Sequence, residues 1–473
     1  MSDVIIPGCL AALGMQAGAG VPGLLSATSC GRFELFQTPG LWGHDPADNA
    51  YWLPQRAGAS PVLPAASRRL LDAIEEIIAG AERLVDIAGL EQFATGGFTT
   101  ALHRGLTRAA ARRAPLMVRI LYGRHRFTKN TPADFDDFLR GITAGLPADC
   151  GLRVHACRME TSNHQSLPSW NHAKIVAADG RDALVGGHNL WADDYLGFAP
   201  VHDLSARIDG PAAREAHAFL DTLWDWAARE RATASGIGTL QLRGWDRGQV
   251  ADCEPPAAVA LPTVAPGPMP VLAVGRLGTG VLADPRLANV GAAVAATAFR
   301  QARSSIRISQ MDFGFHWDGV NHWAKDVVAA LADVLTAPDR SVDVRLVLSE
   351  PGAKTAAGGP YSFGTTLADI AAEMRRAIGD RRLTGRMSLA PLRLSATGDR
   401  WVHDGTELKI INHAKFWMVD DLAFHVGSDN LYPHNLQEFG YVVESPALAR
   451  EAIASYWDPL WTFSSRAATD VGS

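Results

Sequence analysis

Cysteine is scarce in this chain. Cys9, Cys30, Cys150, Cys157 and Cys253 are the whole complement in 473 residues, an odd and sparse set that excludes a disulfide framework. One Cys150–Cys157 bridge is allowed but not required. Cys150, His155 and Cys157 lack a fourth ligand at finger-like spacing, so neither a zinc site nor any other metal site is expected. An excess of positive charge is absent too. Lys and Arg number 44 against 50 Asp and Glu, a formal net charge of −6, so whole-chain electrostatics do not draw nucleic acid and no such partner is expected. No run of about eighteen apolar residues occurs, which excludes a membrane-spanning helix. No Lys or Arg precedes Arg32, and Pro7, Pro22 and several Gly interrupt the early apolar stretch; no secretory signal is recognised there. GAGVPG at 18–23 lacks a surrounding strand–turn–helix, so no dinucleotide site and no cofactor is expected.

What is present suits two large α/β domains. Residues 1–66, rich in Gly, Pro and Ala, read as an irregular arm packed on the first domain. Apolar residues at helical spacing predict a helix over 66–83, with a strand at Leu84–Ala88, a helix over 98–113 and a strand at Leu116–Tyr122. The second half repeats the order: a helix over 288–304, a strand at Ile306–Gln310, a helix over 322–336 and a strand at Val342–Leu348. This is an internal duplication. It predicts a first domain over 67–250 and a second over 273–473, each an α/β/α sandwich with a mixed sheet. Between them, 251–272 holds six prolines and reads as a stiff linker. Helices over 212–231 and 447–462 close the two halves, carrying the pairs Trp224/Trp226 and Trp457/Trp461.

One stretch occurs twice. NHAKIVAADGRDALVGGHN at 171–189 and NHAKFWMVDDLAFHVGSDN at 412–430 align without a gap. His172, Lys174, Asp179 and Asn189 correspond to His413, Lys415, Asp420 and Asn430, and Gly186-Gly187 to Gly427-Ser428. His and Lys two apart on a strand project from one face. Gly187 and Ser428, in tight segments, are expected to let backbone N–H groups approach an anion. Two copies brought together offer two imidazoles, two ammoniums and two amides, a donor-rich cup for one tetrahedral phosphate. Two imidazoles flanking a phosphodiester permit double displacement. One attacks phosphorus while the other protonates the leaving oxygen and later deprotonates the acceptor. Lys and Asn would stabilise charge on the equatorial oxygens. Each His needs a carboxylate to set its tautomer. Asp203, downstream of His172, and Glu438, downstream of His413, are the candidates. Asp179 and Asp420 are expected to hold the turns and not to touch substrate.

His-x-Lys-x4-Asp, duplicated and followed by Gly-Gly/Ser-x-Asn, resembles the signature of the phospholipase D superfamily. FQTPGLWG at 36–43, SWNHAK at 169–174, GGHNLWADDYL at 186–196, DTLWDW at 221–226, GSDNLYP at 427–433 and LQEFGYVVESP at 436–446 extend the likeness to the secreted bacterial phospholipases D. The resemblance implies two pseudo-twofold-related α/β/α domains with the site at their junction. It implies hydrolysis of phosphatidylcholine-like lipids at a membrane or micelle surface, phosphatidyl transfer to an alcohol acceptor, His172 as nucleophile and His413 as general acid and base. A monomer is expected. Glu438 stands where such relatives commonly carry Asp, and residues 350–410 match poorly. Trp170, Trp191, Tyr195, Phe198, Trp401 and Tyr432 lie near the motifs, and Trp170, Trp191, Tyr195 and Tyr432 are expected to help bind substrate. Alternatives are a phosphodiesterase or phosphotransferase acting on a soluble diester or nucleic acid, and a non-catalytic phospholipid- or anion-binding protein. The residues leave open a cytoplasmic location, a signal-independent export and a mature secreted form.

Overall fold

The computed structural model describes the chain except residues 1–4, 16–19, 48–62, 126–129, 163–168, 234–238, 283, 285–286, 404 and 473. Two nine-stranded mixed sheets flanked by helices make an α/β structure. Both sheets are built around the same nucleus. In the first, Leu84–Leu90, Leu116–Gly123 and Leu152–Glu160 run parallel, and Lys174–Ala178 lies antiparallel against Leu84–Leu90. In the second, Ser305–Gln310, Asp343–Leu348 and Arg386–Pro391 run parallel, and Lys415–Val419 lies antiparallel against Ser305–Gln310. Each motif strand then turns into a hairpin partner, Asp182–Gly186 or Ala423–Gly427, followed by Asp203–Asp209 or Glu438–Glu444.

The central strands read as apolar runs because helices cover them. Ala65–Gly80 turns Leu70, Ile74, Ile77 and Ile78 inward, and Gly96–Ala110 turns in Phe98, Leu102 and Leu106. In the second half Val290–Gln301 and Lys325–Leu335 do the same with Val294, Phe299, Val327 and Leu331. Pro211–Thr233 buries Trp224 and Trp226 in the core. The closing helical region of the second half runs Pro446–Ala452, a π-turn at Ile453–Trp457, then Asp458–Ser464.

Two expectations need correction. The N-terminal segment is not an irregular arm on the first domain. It forms a helix, Ile5–Ala12, and two strands that serve both sheets: Leu25–Cys30 pairs with Met269–Arg276 of the second, Phe33–Thr38 with Asp203–Asp209 of the first. The buried Glu444 carboxylate accepts from the backbone N–H groups of Ile5 (3.1 Å) and Ile6 (2.9 Å) and ties the helix to the second half. The part of the arm at 48–62 lies outside the described residues, as do residues 18–19 of GAGVPG. The Pro-rich segment is also shorter than expected, because Met269–Arg276 is already a strand. Pro270 fits at its start, since pairing with Glu438–Glu444 begins only at Val271. A hairpin, Gly314–Trp317 and Val320–Trp323, precedes the helix expected over 322–336. All five cysteines are free thiols.

The halves are laced together beside the two motifs by matching backbone bonds. His172 N donates to Gln437 O (2.8 Å), and His413 N donates to His202 O (2.7 Å). Gln437 precedes Glu438 and His202 precedes Asp203. The lacing therefore carries each carboxylate-bearing strand across to the opposite motif.

Candidate active site

His172 and His413 sit just ahead of their strands, each preceded by a buried Asn that ties the entry to the neighbouring parallel strands. Asn171 Nδ2 donates to Gly89 O (3.0 Å), and Asn412 Nδ2 to Val347 O and Ser309 Oγ (both 3.0 Å). Lys174 Nζ donates to His172 O (2.6 Å), and Lys415 Nζ makes the equivalent bond to His413 O. Asp179 and Asp420 occupy left-handed turn positions, φ 55° and 54°. Their carboxylates gather the backbone N–H groups that open the next strands over: Glu82, Arg83 and Leu84 on Asp179, Arg303, Ser304 and Ser305 on Asp420.

The carboxylates pair with the imidazoles across the interface. His172 Nδ1 bonds Glu438 Oε1 (2.8 Å), and His413 Nδ1 bonds Asp203 Oδ2 (2.6 Å). Sequence order placed Asp203 after His172 and Glu438 after His413, but each serves the other half's histidine. With Nδ1 bound to a carboxylate, Nε2 is the nitrogen left for chemistry.

His172, His413, Lys174, Lys415, Asn189 and Asn430 are all buried, none more than 7% exposed. Burial, with the ammoniums of Lys174 and Lys415 close by, holds His172 well below the ordinary imidazole range. Burial and the same two ammoniums hold His413 down likewise, with His172 adding to it. These four groups thus share one electrostatic environment. Burial pulls Lys174 down to about 7 and Lys415 to about 8, and pushes Glu438 up to about 7. Among the described residues, Asn189 Oδ1 and both amide atoms of Asn430 have no hydrogen-bond partner. Such groups are costly to bury unless something completes them. Two buried ammoniums beside the unpartnered donor Asn430 Nδ2 suit an anion.

Several expected contacts are reassigned. Gly187 and Ser428 do not offer backbone N–H groups to an anion: Gly187 N donates to Leu204 O (2.8 Å) and Ser428 N to Phe439 O (3.0 Å). Ser428 Oγ instead donates to Glu438 Oε2 (2.5 Å), and Gly187 packs on Asp203. Tyr195 is buried, and its hydroxyl donates to Asp203 Oδ2 (2.7 Å), so it positions the carboxylate that holds His413. Trp401 is fully buried core. Trp170 packs its ring on His125 (4.7 Å), Trp191 Nε1 donates to Gln92 O (2.8 Å), and Phe198 packs on His403 (5.2 Å). Tyr432 meets Phe363 (5.2 Å) and His434 (5.5 Å).

Tyr361 was not legible as a site residue. Its ring lies edge-on to His413 at 4.8 Å, and its hydroxyl donates to the buried Asp194 Oδ2 (2.6 Å). It comes from the loop AAGGPYSFG, which carries no motif. Asp429, His434 and Glu438 bring ligand atoms within 4.8 Å of one another. Arg276 Nη1 already reaches Asp429 (3.4 Å) and His434 (3.0 Å), and Glu438 is bonded to His172 and Ser428. A guanidinium therefore supplies the positive charge of this cluster.

No family model matches the chain. It is 34% identical over 482 aligned residues to phospholipase D of Streptomyces antibioticus, covering 92% of this chain and 81% of that protein. The chain belongs to the phospholipase D family, a family of enzymes. A shorter match, 38% identical over 88 residues, joins it to cardiolipin synthase A of Pseudomonas fluorescens, covering 17% of this chain and 18% of the synthase. Phosphatidylserine synthase of Haemophilus influenzae shares the fold, with a TM-score of 0.51 and 14% identity over 95% of this chain and 90% of the synthase.

Proposed function

We propose that the chain cleaves the head-group phosphodiester of glycerophospholipids such as phosphatidylcholine, passing the phosphatidyl group to water or to an alcohol. The observation that carries this is the crossed pair of carboxylate-bound imidazoles, His172 on Glu438 and His413 on Asp203, beside two buried lysines and the unpartnered amide of Asn430. The family relatives named for lipid chemistry supply the substrate class.

In this reading His172 Nε2 attacks phosphorus. The bond to the head-group oxygen breaks, and that oxygen takes a proton from His413 Nε2. Water or an alcohol then gives its proton back to His413 and attacks phosphorus, breaking the Nε2–P bond. Lys174, Lys415, Asn189 and Asn430 hold the non-bridging oxygens. Burial first, and then the two ammoniums, hold His413 neutral in the empty cup; the diester's negative charge offsets the ammoniums, so substrate binding favours the protonated form that must act as acid. The enzyme acts as a monomer, since one chain carries both motifs.

Mass spectrometry of products from mixed phospholipids, with and without ethanol, tests this. Phosphatidic acid alone, joined by phosphatidylethanol when ethanol is present, is the expected outcome. Cleavage of bis(p-nitrophenyl) phosphate or DNA with lipids untouched would establish the soluble-diester reading instead.

A further inference from the structure

We propose that the hairpin Gly314–Trp317/Val320–Trp323 is a docking element that seats the enzyme on a phospholipid surface. The proposal rests on the lipid reading above and adds where the lipid aggregate is met. Among the described residues four large hydrophobic side chains are exposed: Trp317 (69%), Val320 (56%), Phe363 (42%) and Leu383 (40%). The first three belong to one projection. Trp317 and Val320 face each other across the turn, and Phe363 lies alongside, its carbonyl accepting from His316 N (3.0 Å).

Among the described residues the hairpin is a separate two-stranded sheet, joined to neither large sheet. Its turn residues, Asp318 and Gly319, both take positive φ, 50° and 77°, the tight geometry of a two-residue hairpin loop. Its fold does not need an apolar tip. The packing is done at the base, where Phe315 stacks on His322 (4.8 Å) and Trp323 lies over Gly314, whose Cβ would stand 2.5 Å from that indole. An indole and a valine held out in water at a turn gain nothing for the folded state. At a lipid interface the same pair is stabilised, because a tryptophan ring sits favourably at head-group depth. Asp318 at the apex limits the depth to that layer.

The projection is continuous with the site. Phe315 and Phe363 both meet the Tyr432 ring, at 6.5 Å and 5.2 Å, and Tyr432 follows Asn430 by two residues. The hairpin also leaves the sheet directly after Gln310, the partner of Lys415. A surface touched by Trp317 and Phe363 therefore lies beside the segment that carries Asn430. Three side chains on a two-residue-wide finger are far too small for a stable protein interface, which favours a lipid surface over a second copy of the chain.

The test compares wild type with Trp317→Ala/Val320→Ser on one lipid chemistry in two physical states: phosphatidylcholine vesicles, and short-chain phosphatidylcholine below its aggregation concentration. Turnover on vesicles should fall by about tenfold or more, the scale of withdrawing one large aromatic from an apolar environment. Turnover of the monomeric lipid should not change, and Trp317→Phe should restore most of the vesicle rate. In the same way, His172→Ala should sediment with vesicles, and His172→Ala/Trp317→Ala should do so less. Equal vesicle rates, an equal loss on both substrates, or a change of oligomeric state without lipid would each overturn the docking role. Failure of wild type on both lipid forms would instead overturn the proposed function, and vesicle sedimentation of His172→Ala separates the two failures.

Discussion

The two half-sites hold their histidines with different atoms. Asp203 accepts from His413 Nδ1, Tyr195 Oη and its neighbour Leu204 N (2.6, 2.7 and 2.8 Å). Glu438, one methylene longer, accepts from His172 Nδ1 and Ser428 Oγ (2.8 and 2.5 Å). The residue before the turn follows the acid. A Cβ on Gly187 would stand 2.0 Å from Asp203 Oδ1, whereas Ser428 in the matching place reaches Glu438 with its hydroxyl. Duplication kept the backbone and the His-x-Lys pair, while each carboxylate has a surround cut to its own length. Burial pushes Glu438 up to about 7, so the His172 side responds to pH near neutrality.

The largest effect should come from the histidines themselves. His172→Ala and His413→Ala should each lower turnover of a natural phospholipid by about 10⁴-fold or more. A phosphatidyl ester of p-nitrophenol separates their roles, because nitrophenolate leaves without a proton. His413→Ala should then release a burst of nitrophenolate and stall, while His172→Ala should give no burst. A burst from His172→Ala alone would reverse the assignment of nucleophile.

Next come the carboxylates. Asp203→Asn and Glu438→Gln should each cost about 10²- to 10⁴-fold by unsettling the imidazole tautomer. The pH profiles should differ in kind. As pH falls through about 7, Glu438 takes up a proton and no longer stabilises a charged His172, so the wild-type rate should fall on its acid side. As pH rises through about 7 to 8, Lys174 and Lys415 lose theirs and the cup weakens, giving the basic limb. Glu438→Gln should lose the acid limb and keep the basic one; an unchanged acid limb would assign that ionisation elsewhere. A smaller contrast lies in the residues beneath. Gly187→Ser should approach the loss seen on removing Asp203, about 10²-fold, whereas Ser428→Gly gives up the hydroxyl's bonds to Glu438 Oε2 and from Phe439 N, roughly tenfold.

Much of this was legible in the chain before any coordinates, for a physical reason. His-x-Lys on a strand, Asp at a left-handed turn and Asn beyond a hairpin are local spacings, and local spacing survives folding. The helix–strand order of both halves is legible on the same ground, since it rests on periodicity. Crossed pairing was not. Asp203 and Glu438 were found as candidates, but their partners are decided by the backbone lacing of Gln437 with His172 and of His202 with His413, contacts between segments that chain order keeps apart. Tyr195 read as substrate lining because an aromatic beside a motif has two uses, and only its bond to Asp203 chooses between them. The N-terminal segment read as irregular because Leu25–Cys30 and Phe33–Thr38 have no partners near them in the chain; each is completed by a strand of a different sheet.

The smallest effect concerns stability, and it again sets one half against the other. An ammonium buried without a full anionic partner is a cost to the folded state. Burial takes Lys174 from 10.5 down to about 7 and Lys415 to about 8, so the cost is greater in the first half. Lys174→Met should therefore be inactive yet more stable than wild type, by about 1–2 kcal/mol after the loss of the bond to His172 O, and Lys415→Met should gain less. The pH dependence has a definite sign. Between about 7 and 10.5 the unfolded chain keeps a proton that folded Lys174 has released, so wild-type stability rises with pH across that window. The variant's gain should be full below about pH 7 and shrink toward pH 10. Denaturant titrations of both variants and wild type at the two ends of that range measure it. A gain that does not shrink would mean that the methionine stabilises by packing, and that the lysine in the empty cup carries no electrostatic penalty.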